Sequence, residues 1–232
     1  MKRKSILVLG FVALMNLSTY AQKEATLIIK GENTIPNYAD DNGTAKVAMS
    51  VSKAILEGNW EKLDAMLDNN YTYTGDGNVF TKDQYIGYMQ SMRSAFSDFE
   101  MILEKTLVDK DMASINFTAN VVNTGSFSGA PANKKHISVH GMFMRSVKDG
   151  KVMQEWQSTD LLGVMTQIGG GSLFFYAVFV GGFNVKQEIP PRLPNDFMHI
   201  DGKVSNYDKL SAKEKNKYVK KYKKDFEKKS KK

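Results

Sequence analysis

Apolar residues recur along this chain first at helical and then at strand spacing. Val47, Val51 and Ile55 stand four apart, which predicts an amphipathic helix capped by Thr44 and stopped at Gly58. Asn59 opens a second short helix carrying Trp60, Leu63 and Leu67. Tyr71-Thr72-Tyr73-Thr74 is a β-prone run closed by Gly75-Asp76-Gly77. Thr81 and Gln84 form a capping box for a third helix, with Tyr85, Met89, Met92 and Phe96 on one stripe. Beyond it the period falls to two. Phe99 to Val108 alternates in part and turns at Asp109-Lys110-Asp111, and Ile115, Phe117, Ala119 and Val121 then alternate with polar residues. Two further strands meet at Asp149-Gly150, a hairpin signal because both turn positions need φ > 0. A short apolar helix, Leu161 to Ile168, closes the pattern. Helices followed by an antiparallel meander predict an α+β fold.

The flanks add four segments. Residues 1–21 read as a signal peptide: Lys2-Arg3-Lys4, an apolar core from Ile6 to Leu17 that is short for a membrane span, and small residues at Thr19 and Ala21. Residues 22–43 are a polar, loosely held lead-in. Within 170–206, Leu173 to Val180 is apolar but too short to span a membrane, so it packs on the body or covers a homodimer surface; Pro190-Pro191 and Pro194 then impose an extended linker. Residues 207–232 form a tail helix, with Ser211 and Glu214 as capping box and Tyr218, Tyr222 and Phe226 on one stripe.

Charge separates tail from body. Twelve lysines against four acids give residues 207–232 a net +8, while the whole chain carries only +7. With Lys2, Arg3 and Lys4 also set aside, residues 22–206 are left at −4, so the basic character belongs to the tail. A basic amphipathic helix over 211–232 points to an anionic membrane surface or an acidic partner; the tail has no arginine for base readout, and nucleic acid is not expected.

Candidate chemistry centres on the strand after Asp149-Gly150. Period 2 places Trp156, Ser158 and Asp160 on one face, and a carboxylate beside a tryptophan on the inner face of a curved sheet suits an acid or base in an apolar pocket. The alternative for Asp160 is to cap the helix at Leu161. Trp156, Ser158 and Tyr73 are candidate pocket-lining residues, His140 a candidate lone pocket histidine, and Asp76 a further candidate beside the first strand. His136 and His140 sit four apart on a strand, roughly 13 Å, too far for one metal ion. The chain has no cysteine, Gly169-Gly170-Gly171-Ser172 lacks the Lys of a phosphate loop, and no metal or cofactor is expected.

One stretch carries a family pattern. Gly125, Phe127, Gly129, Pro131, Ala132 and Lys135 are followed by Gly141 and Arg145. Then come Asp149-Gly150-Lys151-Val152, Glu155-Trp156, Asp160, Gly163-Val164 and Gln167-Ile168-Gly169. This resembles the SnoaL-like polyketide cyclases (ester cyclases) of the NTF2-like superfamily, densely over 125–169 and loosely before it. The resemblance implies a cone-shaped barrel over 44–169, a curved antiparallel sheet wrapped around the N-terminal helices. It also implies a pocket lined by Trp156, and Asp160 as general acid/base in an intramolecular aldol closure.

The expected protein is therefore an exported domain, periplasmic or secreted from a bacterium. It binds a small apolar or aromatic molecule, with cyclase-, isomerase- or dehydratase-type chemistry through Asp160. The alternative is a non-catalytic binding or assembly module at the cell envelope that uses the basic tail as its contact. Cleavage after Ala21 should leave Gln22 at the mature N-terminus; N-terminal sequencing of the envelope and secreted fractions checks this, and intact Met1 there would refute it.

Overall fold

The capping and turn chemistry read above builds the first half of the chain. α1 (Thr44–Leu56) is capped by Gly43 rather than Thr44, whose Oγ1 instead donates to the Lys110 carbonyl at 3.0 Å. α2 (Trp60–Met66) starts at Asn59, whose side chain accepts from Lys62 N–H at 3.0 Å. The Thr81–Gln84 capping box opens α3 (Lys82–Ala95). The computed structural model describes residues 25–29, 43–127, 131–169 and 189–230, and the single positions 171, 174 and 178. The signal peptide and most of the apolar run Leu173–Val180 lie outside the described residues.

The strands are β1 (Thr26–Ile29), β2 (Leu67–Gly75), β3 (Asn78–Thr81), β4 (Phe96–Asp109), β5 (Met112–Asn123), β6 (His136–Lys148) and β7 (Lys151–Thr159). They form one curved, open sheet in the order β1-β4-β5-β6-β7-β2-β3. β1–β4 and β2–β7 pair in parallel; the other pairs are antiparallel. Its concave face wraps α1 and α3, and α4 (Leu161–Ile168) packs beside β6. Two strands went unseen in the sequence. β1 lies within the segment read as a loose lead-in. β3 follows a two-residue Asp76-Gly77 turn with φ of 50° and 79°, so Gly75-Asp76-Gly77 turns a hairpin instead of ending a strand.

A bulge shapes one end of the core. β4 slips register between Ser97 and Glu100, and Asp98 takes φ 52°. Strict alternation would turn Phe99 away from the side that Phe96 faces. The extra residue brings both rings inward, edge to face at 6.4 Å.

Residues 190–206, within the segment expected to hold a linker, are packed onto the body instead. Leu193, Phe197 and Met198 supply apolar surface that is buried, and side chains of α2 and α3 satisfy backbone groups. The Gln90 side chain both donates to and accepts from Leu193, at 2.9 and 2.8 Å. Trp60 Nε1–H donates to the Phe197 carbonyl at 3.1 Å, and Arg192 pairs with Asp64 at 2.9 Å and Asp83 at 2.6 Å. α5 (Val204–Asp208) brings Asp208 to Arg93 in a buried two-pronged pair at 2.9 and 2.7 Å. α6 (Ala212–Ser230) begins at the Ser211–Glu214 capping box. It docks by Tyr218 and Tyr222, whose rings lie 6.2 and 5.3 Å from Phe197. Lys215 alone among the described lysines of α6 is buried, with Nζ donating to Thr124 Oγ1 at 2.6 Å. Burial pushes its amine down to about 8, against the pull of nearby Asp208. The outer face of α6 is almost all exposed lysine.

Gly87 marks how closely the extension approaches α3. A Cβ there would lie 2.4 Å from the Pro190 carbonyl oxygen and 2.8 Å from Arg192 N. Alanine in a helix interior ordinarily gains about 0.5–1 kcal/mol over glycine. Here Gly87→Ala should instead destabilise by about 1–3 kcal/mol, the cost of overpacking against backbone. Urea unfolding checks this, and a stabilised variant would mean that the extension does not lie against α3.

Candidate functional site

The face that β7 turns inward decides which residues reach the concave side. β6 and β7 slip register between Ser146 and Val147, leaving Met153 unpaired. Val152 and Glu155, three apart, are consequently both buried. Alternation counted straight through from Val152 would put Trp156, Ser158 and Asp160 inside. The bulge puts Glu155, Gln157 and Thr159 there and turns Trp156, Ser158 and Asp160 outward. The sequence-based assignment of this face is therefore corrected.

Each of those three residues has a plain setting. Asp160 is exposed and caps α4, its Oδ1 accepting from Gly163 N–H at 2.8 Å, so the capping alternative describes its geometry. Trp156 is half-buried on the convex face, opposite Met144 on one side and Thr74 on the other. Ser158 is exposed opposite Met142. His140 is also on the outer face, exposed, with Nδ1 3.0 Å from Thr118 Oγ1. Tyr73 points inward and is buried, but in the core between β2 and α3 rather than on the cavity wall; its hydroxyl has no hydrogen-bond partner.

At the base of the concave face is a buried ion pair. Arg145 Nε donates to Glu155 Oε2 at 2.7 Å and Nη2 to Oε1 at 3.2 Å. Arg145 also donates to Ser52 Oγ at 2.9 Å and to the Ala48 carbonyl of α1, and its guanidinium lies 4.0 Å above the Phe143 ring. Tyr71 and Tyr85 donate to Glu155 at 3.1 and 3.2 Å. Burial alone would lower the Arg145 pKa, but the Glu155 carboxylate reverses this and holds it above its ordinary value. With its oxygens engaged by Arg145, Tyr71 and Tyr85, Glu155 serves as a structural anion rather than a free base.

Above this pair lies a cavity of ≈ 130 Å³. Its wall is mainly apolar: Ile55 and Leu56 of α1, Met89 and Met92 of α3, Phe96, Phe99, Met101, Phe117, Ala119, Val139 and Phe143 of the sheet, Phe127, and Leu161 and Val164 of α4. The polar groups gather where Asp76 meets β7: Asp76, Gln157, Thr159 and Tyr88, with Arg145 and Ser52 at the base.

Asp76 is the sequence candidate that reaches this wall. The Asp-Gly turn places it there, and its Oδ1 accepts from Thr159 N–H at 2.8 Å. Its Oδ2 is buried without a hydrogen-bond partner. Burial raises the carboxyl above the usual carboxylate range, opposed by the hydrogen bond from Thr159. Burial, reinforced by the Asp76 charge, pushes the Tyr88 phenol up to about 12, so it remains a proton donor at neutral pH. Sequence reasoning missed Tyr88, Gln157 and Thr159. Tyr88 stands one helical turn beyond Tyr85, on the stripe already recognised as apolar, and the other two carry the opposite parity on β7.

No curated protein matches the chain by sequence. A family model, SnoaL-like polyketide cyclase, matches residues 46–168, just over half of the chain. The chain belongs to the SnoaL-like polyketide cyclase family. Solved structures agree on the fold. A Jannaschia protein assigned as a SnoaL-like polyketide cyclase is 18% identical with a TM-score of 0.52, covering 56% of this chain and 93% of that one. TsrD from Streptomyces laurentii is 24% identical with a TM-score of 0.51, over 56% of this chain and 97% of its own. IdmH from Streptomyces antibioticus, assigned as a polyketide cyclase, is 16% identical with a TM-score of 0.50, over 54% and 97%. The curved sheet wrapped around helices is thus the NTF2-like architecture of SnoaL-like proteins, and the shared part is nearly the whole of those chains but little more than half of this one.

The Asp76 environment has a measurable signature. With its folded pKa above the ordinary 3.8, the folded state binds more protons than the unfolded one between those two values, and stability falls as pH rises through that window. Asp76→Asn, which can keep the acceptor for Thr159 and tolerates positive φ, should melt higher than the unaltered SnoaL-like chain at neutral pH. The difference should shrink as pH falls through the raised pKa; melting curves across pH 3–8 check it, and a variant less stable at pH 7 would refute it.

Proposed function

We propose that this SnoaL-like domain binds a small, largely apolar molecule in the cavity and carries out acid/base chemistry on it through Asp76. The observation that carries the reading is the unpaired, buried Asp76 Oδ2 in the wall of an otherwise apolar cavity. Such an oxygen is costly to leave unsatisfied, and a ligand's acidic C–H or hydroxyl would satisfy it. The cavity volume of ≈ 130 Å³ is close to the ~150 Å³ that holds one benzene ring. The methionines that line it can repack for a somewhat larger ligand.

The chemistry follows from the two polar groups. Asp76 takes a proton from carbon α to a carbonyl; the C–H electron pair moves into the enolate, and the Tyr88 hydroxyl donates a hydrogen bond to the developing oxyanion. Return of the proton from Asp76 to the oxygen, or to a different carbon of a conjugated enolate, completes an isomerisation. Alternatively the enolate carbon attacks a second carbonyl and closes a ring, and the π pair of that carbonyl becomes an alkoxide that takes the proton back from Asp76. A raised carboxylate paired with a protonated phenol is suited to this task.

Phenylacetone, one ring with an activated α-carbon, is a suitable probe. The protein should catalyse exchange of its α-protons in D₂O, followed by proton NMR, with a rate that falls as pH drops through the Asp76 pKa. Asp76→Asn should lower that rate by roughly 100-fold or more while the probe still binds. Binding without catalysed exchange would leave only a binding module.

A second reading joins the sequence pattern of residues 1–21 to the charge of the tail: export to the cell envelope, with α6 as a contact for an anionic bilayer. Tyr218 and Tyr222 pack inward, and the exposed face carries lysines. Each lysine near an anionic surface adds about 1 kcal/mol, screened by salt. Binding to phosphatidylglycerol vesicles should weaken sharply from low to high salt and be lost when Lys220, Lys221, Lys223 and Lys224 become glutamine. Equal binding to phosphatidylcholine vesicles would reject it.

A further inference from the structure

The C-terminal extension reaches the cavity through two buried charges. Arg93 of α3, held in two prongs by Asp208, also donates to the carbonyls of Leu56 at 3.1 Å and Phe96 at 3.3 Å. Its guanidinium lies 4.7 Å from the centre of the Phe99 ring. Leu56, Phe96 and Phe99 all line the cavity. Lys215, one helix further on, donates to Thr124, whose N–H in turn bonds the Ala95 carbonyl at 3.0 Å. Three residues beyond Thr124 is Phe127, whose ring packs 5.1 Å from Phe96. The bulge at Asp98 turns Phe96 and Phe99 to the same side, so a single aromatic wall of Phe96, Phe99 and Phe127 is gripped at both ends by the extension.

We infer that the C-terminal extension is part of the ligand site: Asp208, through Arg93, and Lys215, through Thr124, fix this aromatic wall and set the size of molecule that the cavity accepts. The inference rests on the small-molecule reading given above. Asp208 and Lys215 are positioning residues that touch no ligand. The side chain of Asp208 is the buried counter-ion of Arg93, and without it the guanidinium would be drawn from under Phe99 toward water. The shared fold of the solved relatives covers only 54–56% of this chain. The grip is therefore a device of this chain's own additional residues.

The test uses the full chain with ¹³C-methyl methionine. Met92 and Met101 line the cavity beside the aromatic wall, so their methyl resonances report ring positions without any ligand. Toluene serves as the apolar probe. Asp208→Asn should shift both resonances and weaken toluene binding roughly tenfold, within the range for residues coupled in one network. Lys215→Met leaves the Arg93–Asp208 pair in place and should act in the same direction, which keeps the test open if Asp208→Asn does not fold. Asp64→Asn weakens a different anchor of the extension, the pair with Arg192, remote from the wall. It should lower the melting temperature yet leave Met92, Met101 and toluene affinity as they were. Unmoved resonances in Asp208→Asn and Lys215→Met would overturn the inference, as would equal shifts in Asp64→Asn. If toluene does not bind the unaltered protein, the ligand reading fails, and the resonances alone decide whether the extension fixes the wall.

Discussion

The buried contact between Arg145 and Glu155 is the constraint around which the domain is arranged. A guanidinium and a carboxylate removed from water are costly apart, and together they are tolerable only when every remaining donor and acceptor is engaged. Here the partners come from everywhere: α1 supplies the Ala48 carbonyl and Ser52, α3 supplies Tyr85, β2 supplies Tyr71, and β6 and β7 supply the pair itself. One polar knot thereby joins both helices to the three strands that meet beneath the cavity. It also pairs off the two charges at the floor of the cavity, whereas the Asp76 oxygen in its wall is left without a partner.

The family motif and the unpaired carboxylate of the cavity wall part company here. Arg145 and Glu155 belong to the recognisable stretch from Gly125 to Gly169, and the structure gives them architecture. Asp160, in the same stretch, starts a helix. Asp76 lies in an ordinary Asp-Gly turn outside the stretch, yet the parallel pairing of β2 with β7 lays that turn against Thr159 and aims the carboxylate into the cavity. The polar corner of the cavity thus forms where two distant parts of the chain are brought side by side.

Much of the fold was legible because local rules were obeyed. The Thr81–Gln84 box, the Asn59 cap, the alternation from Ile115 to Val121 and the Asp149-Gly150 turn each state their element directly. β1 and β3 were not legible: four residues at a sheet edge carry too little pattern, and β1 exists only because β4 offers it a partner. Pro190, Pro191 and Pro194 were read as a linker, and their docking depends on a glycine in α3 a hundred residues earlier. The candidate site was the least legible part. Its inward residues on β7 are polar and its outward ones include a tryptophan, and a bulge that no short motif announces inverts the expected parity.

Met153, the unpaired residue of that bulge, makes β7 unequal in its tolerance of changes in length. Deleting Gln157 would exchange the two faces beyond it, since side chains alternate wherever a strand is regular. Deleting Met153 itself would merely straighten the strand: Val152 and Glu155 would still face the helices, now as ordinary alternate neighbours. The bulge is thus a spare residue, and it is a position where β7 can lose one amino acid and keep the arginine–glutamate knot.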